Sequence, residues 1–310
     1  MIAIEDIAFV RYGAPDLDVM EQFLQDFGMR RATRTGNALY MRGLGAAHHV
    51  HVTELRGKPA TLGFGLRARD GRDLEKLAAL LESRVEANPE PGGGRRVRFK
   101  DPAGFLIDVI HGQETVVPLP YRGPIPANPI LGRQRYGQFV RLEPAPSHVV
   151  RLGHVFVQTT EFPATFDFYT RVLGFKVSDS YFAGAPENTM AAFLHCALGE
   201  TWTDHHTIGI AAAQDGQTRF DHSAYEVIDL DDVVQGGEYL RRKGHRHSWG
   251  VGRHVQGSQI FDYWRDPFGN KVEHWTDGDL VNDTTPVSAA PIKPGELAQW
   301  APEFNPEFFE

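Results

Sequence analysis

IAFVRYGAPDLDVMEQFLQDFGM, residues 7–29, and GHVFVQTTEFPATFDFYTRVLGF, residues 153–175, line up at an offset of 146. Each reads as a strand, a turn and an amphipathic helix closed by a glycine, Gly28 or Gly174, in the position of a left-handed C-terminal cap. Two further pairs follow in the same order. TLGFGLRARDGRDLEKLAALLE (61–82) parallels HSAYEVIDLDDVVQGGEYLRRKG (222–244) at offset 161, and FKDPAGFLIDV (99–109) parallels WRDPFGNKVEH (264–274) at offset 165. The strand–helix unit also recurs within each half. An α+β fold follows, with four βαβββ modules in two tandem domains and mixed sheets curled around a cavity in each.

Prolines mark the joints. Pro118, Pro120, Pro124, Pro126, Pro129, Pro144 and Pro146 deny long helices or central strands to residues 114–147. The expected divisions are 1–135 for an N-terminal domain, 136–280 for a catalytic C-terminal domain and 281–310 for a tail. That tail carries Trp300, Phe304, Phe308 and Phe309 among prolines, which predicts packing back over the catalytic domain, with Trp300 and the other aromatics at the cavity mouth.

Composition narrows the function classes. With 32 basic and 40 acidic residues, a net charge of −8 and a pI near 6.0, the chain is a poor partner for nucleic acid or an anionic membrane. The one cysteine, Cys196, excludes a disulfide framework and every multi-cysteine zinc motif. No apolar run reaches the roughly 18 residues of a membrane span, and MIAIEDIAFV lacks a signal-peptide pattern, so a cytoplasmic location is expected; a homo-oligomer is a separate expectation.

Histidine is the anomaly: nine of 14 lie between His154 and His274. At the offsets above, His154 faces Ala8, His222 faces Thr61 and Glu273 faces Asp108, so only the second half has two imidazoles and a carboxylate at these places. A histidine at a strand start is, taken singly, more often a hydrogen-bonded residue than a ligand. Three such residues on different strands of one concave sheet can meet at a point. Two neutral nitrogens and one carboxylate on one face of a metal leave positions open for substrate and dioxygen, which suits non-haem Fe(II).

The segment GRHVQGSQIFDYWRDPFGNKVEHW, 252–275, closely resembles the signature of type I extradiol ring-cleavage dioxygenases of the vicinal oxygen chelate superfamily: His254, Tyr263 nine residues on, the Asp266-Pro267-Phe268-Gly269 turn, then Glu273. FLHCALGETWTDHHTIGI (193–210) is similar to the family's strand ending in a catalytic histidine, and the first half to its non-catalytic N-terminal domain. The resemblance covers about residues 4–280. It departs at Asp262, where the family has an apolar residue, and that side chain is expected to face away from Tyr263.

The resemblance implies an enzyme that opens a catechol ring beside its hydroxyls with both atoms of O2, giving a muconic semialdehyde type of product. His154, His222 and Glu273 would hold Fe(II) or Mn(II). His206 would be the acid/base, chosen over its neighbour His205 because it directly precedes the apolar strand 207–210, although His48-His49 of the first half carry the same dipeptide. His254 and Tyr263 would contact the substrate oxygens. His195, His245, His247 and His274 are left out, the pair at 245 and 247 as part of a solvated turn. Relatives acting on carboxylated catechols have an arginine where this chain has Trp249, so Trp249 is read as a substrate contact and an apolar or aryl catechol as the substrate. On the same fold, a metal-dependent glyoxalase-like isomerase and a metal-free aromatic-binding protein are the alternatives.

Overall fold

The computed structural model describes residues 1–293, 297–303 and 308. The first module is β1 (Ile4–Ala14), α1 (Leu17–Asp26), β2 (Arg30–Arg34), β3 (Ala38–Arg42) and β4 (His51–Leu55); the second is β5 (Ala60–Ala68), α2 (Gly71–Leu80), β6 (Glu86–Ala87), β7 (Arg95–Lys100) and β8 (Leu106–His111). The third runs β9 (Arg151–Thr159), α3 (Phe162–Asp167), β10 (Lys176–Phe182), β11 (Thr189–His195), the two-residue β12 (Thr203–Asp204) and β13 (Ile208–Ala212). The fourth comprises β14 (Arg219–Glu226), α4 (Leu230–Arg242), β15 (Arg246–His254), β16 (Ile260–Arg265) and β17 (Lys271–Thr276), and β18 (Leu280–Val281), β19 (Ser288–Pro291) and β20 (Ala298–Trp300) follow. The expected module is therefore used four times.

Each half forms one curled mixed sheet, in the order β2-β3-β4-β1-β5-β8-β7-β6 and, between added edges, β10-β11-β13-β9-β14-β17-β16-β15. Modules join along antiparallel pairs, β1 with β5 and β9 with β14. The tail extends the second sheet at both ends: β19 lies parallel to β10 and β20 antiparallel to β15.

Local chemistry sets the helices. The Asp16 carboxylate accepts from the backbone N–H of Asp18 and Val19, and Leu17, Met20, Phe23 and Leu24 turn inward along α1. Beyond it Gly28, at φ +116°, touches the linker so closely that a Cβ would lie 2.1 Å from the Ser147 carbonyl. The third module differs at this point. After α3 the chain makes a π-helical turn, Phe168–Val172, in which Leu173 N–H donates to the Phe168 carbonyl. Such a turn takes in one extra residue.

The linker carries no strand or helix between His111 and Arg151, and it is fastened by Arg122, which donates to both oxygens of Asp229 at 2.6 and 2.7 Å. The halves are not separate cores. One buried cluster runs from Ile4 through Phe64 to Tyr225 and Trp264. Across it Tyr12 meets Ser223 Oγ at 3.0 Å, His51 meets Tyr225 at 2.8 Å and Tyr169 donates to Asp101 at 2.9 Å. Among the described residues no helix is long and apolar enough to cross a membrane.

Candidate metal centre

The sheet geometry brings three predicted side chains together. His154 on β9 pairs with Ala224 on β14, which pairs with Glu273 on β17, so His154 and Glu273 flank β14 at one level; His222 lies two residues back on β14 and points to the same face. His154 Nε2 is 3.4 Å from His222 Nε2 and 3.4 Å from Glu273 Oε2, and His222 Nε2 is 3.3 Å from that oxygen. All three residues are buried, and they form a group able to hold a metal ion.

Polar bookkeeping tests whether an ion fits. Glu273 is fully buried, yet neither carboxylate oxygen has a hydrogen-bond donor among the described residues. A bare buried carboxylate is costly, and a cation among its neighbours removes that cost. Triangle edges near 3.3 Å are what ligands about 2.1 Å from a common ion produce. Burial holds His154 below the usual imidazole value, and although burial pushes Glu273 up, His154, His222 and His254 pull it further down. The donor set is thus two imidazoles and a carboxylate, and it fits Fe(II) or Mn(II).

Around this triangle stand the other predicted residues. His206 occupies the connection between β12 and β13, 3% exposed, with its ring centroid 4.2 Å from that of His154. His205 turns the other way and donates from Nε2 to Asp179 at 2.7 Å, and the two Nδ1 atoms are 3.1 Å apart. At that separation one of the two Nδ1 atoms donates to the other, so the tautomers of His205 and His206 are linked. Burial and the surrounding imidazoles hold His206 well below its ordinary pKa. His254 donates from Nδ1 to the Leu297 carbonyl at 3.1 Å and accepts from Tyr263 OH at 2.9 Å. Its pKa is pushed down to about 4, chiefly by burial, and burial with Glu273 raises Tyr263.

Trp249 is 4% exposed, packed with Phe261, Tyr263 and Phe308, and its indole N–H donates to the Pro302 carbonyl. Phe308 is the tail aromatic that closes this cluster, at 5.0 Å from Tyr263. Trp300 does not cover the mouth as expected. It pairs with Arg253 on the outer edge strand and is 48% exposed, because β20 continues the sheet instead of crossing it. Phe304 and Phe309 lie outside the described residues.

Four expectations change. His222 is not at a strand start, since β14 begins at Arg219. In the first half Phe9 pairs with Gly65 and Gly65 with Asp108, so the counterpart of His154 is Phe9, not Ala8, and that of His222 is Gly63, not Thr61. The extra residue of the π turn lies between strand and glycine and displaced the first alignment by one residue; the second was two residues off, since Asp70 and Asp229, the N-caps of α2 and α4, stand at the same separation as Gly63 and His222. His247 and His245 are not in a solvated turn: they donate to Asp262 at 2.7 Å and Asp26 at 2.9 Å. Asp262, fully buried and facing away from Tyr263 as expected, also accepts from Trp264 Nε1, which accounts for an acid in an apolar position.

Sequence reasoning missed the support of His222. Asp221 Oδ1 accepts from His222 Nδ1 at 2.7 Å and from Lys271 Nζ at 3.0 Å. The signal was an acid directly before a candidate ligand histidine, since a metal-binding imidazole commonly gives its second N–H to a carboxylate.

The sequence profile of the glyoxalase/bleomycin resistance protein/dioxygenase superfamily matches residues 151–274. Metapyrocatechase 2 of Cupriavidus necator is 30% identical over 99% of this chain and 92% of its own length. The chain belongs to the type I extradiol dioxygenases. Further members are biphenyl-2,3-diol 1,2-dioxygenase of Paraburkholderia xenovorans (27% identical, 88% of each chain) and the iron-dependent extradiol dioxygenase of Rhodococcus jostii (25%, covering 86% and 80%). Among solved structures, the Mn(II)-bound glyoxalase of Novosphingobium aromaticivorans superposes with TM-score 0.81 at 25% identity over 100% of this chain and 95% of its own. Homoprotocatechuate 2,3-dioxygenase of Brevibacterium fuscum does so at 0.80 and 21% over 99% and 92%, a likeness of fold.

Proposed function

We propose that this extradiol dioxygenase opens the ring of an apolar or aryl-substituted catechol beside its hydroxyls, using O2 and an iron held by His154, His222 and Glu273, in the breakdown of aromatic compounds. The observation that carries the assignment is the Glu273 carboxylate, buried without a donor among the described residues and 3.3–3.4 Å from two imidazole nitrogens. Bound there, the metal would hold catechol and dioxygen side by side and give electrons a path between them. Mn(II) would serve in the same donor set.

The remaining steps belong to the protein. His206, held well below its ordinary pKa by burial, takes a proton from the catechol and returns it during O–O cleavage. The Tyr263–His254 pair fixes the substrate oxygens, with His254 anchored on the Leu297 carbonyl. Trp249, Phe261 and Phe308 form the apolar wall that excludes water. Arg253 on β15 is not a spare cation for a carboxylate, because it donates to the Ser258 carbonyl and to Asp277. Catalysis belongs to residues 136–280, with 1–135 as scaffold and 281–310 as cover, in a homo-oligomer that acts in the cytoplasm without nucleic acid or membrane.

A glyoxalase-like isomerase is the second reading, favoured by the likeness to the Mn(II)-bound glyoxalase. Against it, the metal-holding group among the described residues has three members and one carboxylate. Anaerobic loading with Fe(II), then oxygen uptake and product spectra over a panel of catechols, separates the two. The dioxygenase consumes one O2 per catechol and yields a coloured ring-opened product; no uptake on any catechol overturns it.

A further inference from the structure

The geometry points to Lys271 as a positioning residue that ties the C-terminal tail to the metal ligand His222. Lys271 lies directly across the parallel ladder from His222 and is 3% exposed. Its ammonium donates to Asp221 Oδ1 at 3.0 Å, the oxygen that also accepts the Nδ1–H of His222 at 2.7 Å. The second oxygen of Asp221 accepts from Gln158 Nε2 at 2.7 Å. On its other side the ammonium sits 3.7 Å from the ring centroid of Phe308, and the Phe308 carbonyl accepts from Arg265 Nη2 at 3.2 Å. One tail residue thus touches Tyr263 directly and a ligand through two side chains.

The chain Phe308–Lys271–Asp221–His222 has a simple consequence. A seated Phe308 shields the ammonium from water and offers it a ring face, so it stays directed at Asp221. Asp221 then fixes the His222 ring with Nε2 toward Glu273. Removing Phe308 opens Lys271 to water and frees it to turn from Asp221, which loosens the ligand. Linkage is reciprocal: a filled metal site must hold the tail more firmly.

The inference rests on His222 as a ligand, and Mn(II) affinity of the full chain, read by competition with a chelator, tests both. Phe308→Ala and Lys271→Met should each weaken Mn(II) about 10- to 100-fold, the usual cost of disturbing a ligand's outer partner. The double variant should be no worse than the poorer single, because both act on one path, and Lys271→Arg should recover part of the loss. Mn(II) should slow carboxypeptidase trimming of the tail in the unaltered chain and fail to do so in Lys271→Met. Unchanged affinity in Phe308→Ala, or multiplying losses in the double variant, overturns the coupling; should Lys271→Met not fold, Phe308→Ala alone decides. Mn(II) retained by His222→Ala would sink the ligand assignment itself, whereas its loss there with normal affinity in Phe308→Ala would sink only this inference.

Discussion

At the level where the second half gathers His154, His222 and Glu273, the first half places Phe9, Gly63 and Asp108. The scaffold is otherwise shared down to detail: His48 and His49 meet Nδ1 to Nδ1 at 3.1 Å, as His205 and His206 do, and His49 lies against Phe9 as His206 lies against His154. What differs is how the acid is satisfied. Asp108 accepts from Arg98 at 2.6 and 2.7 Å and from Arg11 at 3.2 Å, whereas Glu273 has no donor among the described residues. One fold therefore supports either a closed ion-pair network or a donor set able to hold a cation, and which one is set by who surrounds a single carboxylate. Gly63 also bars an easy return. At φ +155°, with a built Cβ only 1.8 Å from the Leu106 carbonyl, it has no room for an imidazole.

The sharpest break of this comparison is His222→Ala. It should abolish metal retention and ring cleavage, by metal analysis and oxygen uptake, with the circular dichroism spectrum kept. Gly63→Ala should do the opposite, lowering the melting temperature of a chain that, where folded, still binds metal. Next is His206→Phe, which should keep the metal and still bind catechol but lose about 10²- to 10⁴-fold in kcat, the usual worth of a positioned acid/base; His49→Phe should leave kcat alone. Arg11→Met strips one guanidinium from buried carboxylates and should cost about 3–5 kcal/mol in denaturant unfolding, without changing metal content. The smallest effect concerns specificity. Unsubstituted, alkyl or aryl catechols should have higher kcat/KM than 3,4-dihydroxyphenylacetate, and Trp249→Arg should narrow that gap. A preference of the unaltered enzyme for the acid would contradict the apolar pocket.

The repeat itself was legible, because strand and helix periodicities and the DPxG turns survive where side chains have diverged. The convergence of His154, His222 and Glu273 was legible as well, since those residue types stand out on strands that are otherwise apolar. Register within the repeat was not: a π turn adds one residue without altering the hydrophobic pattern, so Phe9 was hidden behind Ala8, while Gly63 was hidden behind Thr61 because matching apolar strands alone set the second pair two residues off. Nor could composition show that Trp300 would extend a sheet edge while Phe308 turned inward, since both are aromatics in a proline-rich tail. Asp221 was readable only once His222 had been placed in a group able to hold a metal, as an acid beside a histidine is common on any strand.

Metal content of the anaerobically Fe(II)-loaded chain, set beside Glu273→Gln and Asp108→Asn, tests the contrast between the halves most directly. The account predicts one iron per chain in the unaltered protein, none in Glu273→Gln and one in Asp108→Asn. Two irons per chain, or iron kept in Glu273→Gln and lost in Asp108→Asn, would contradict it.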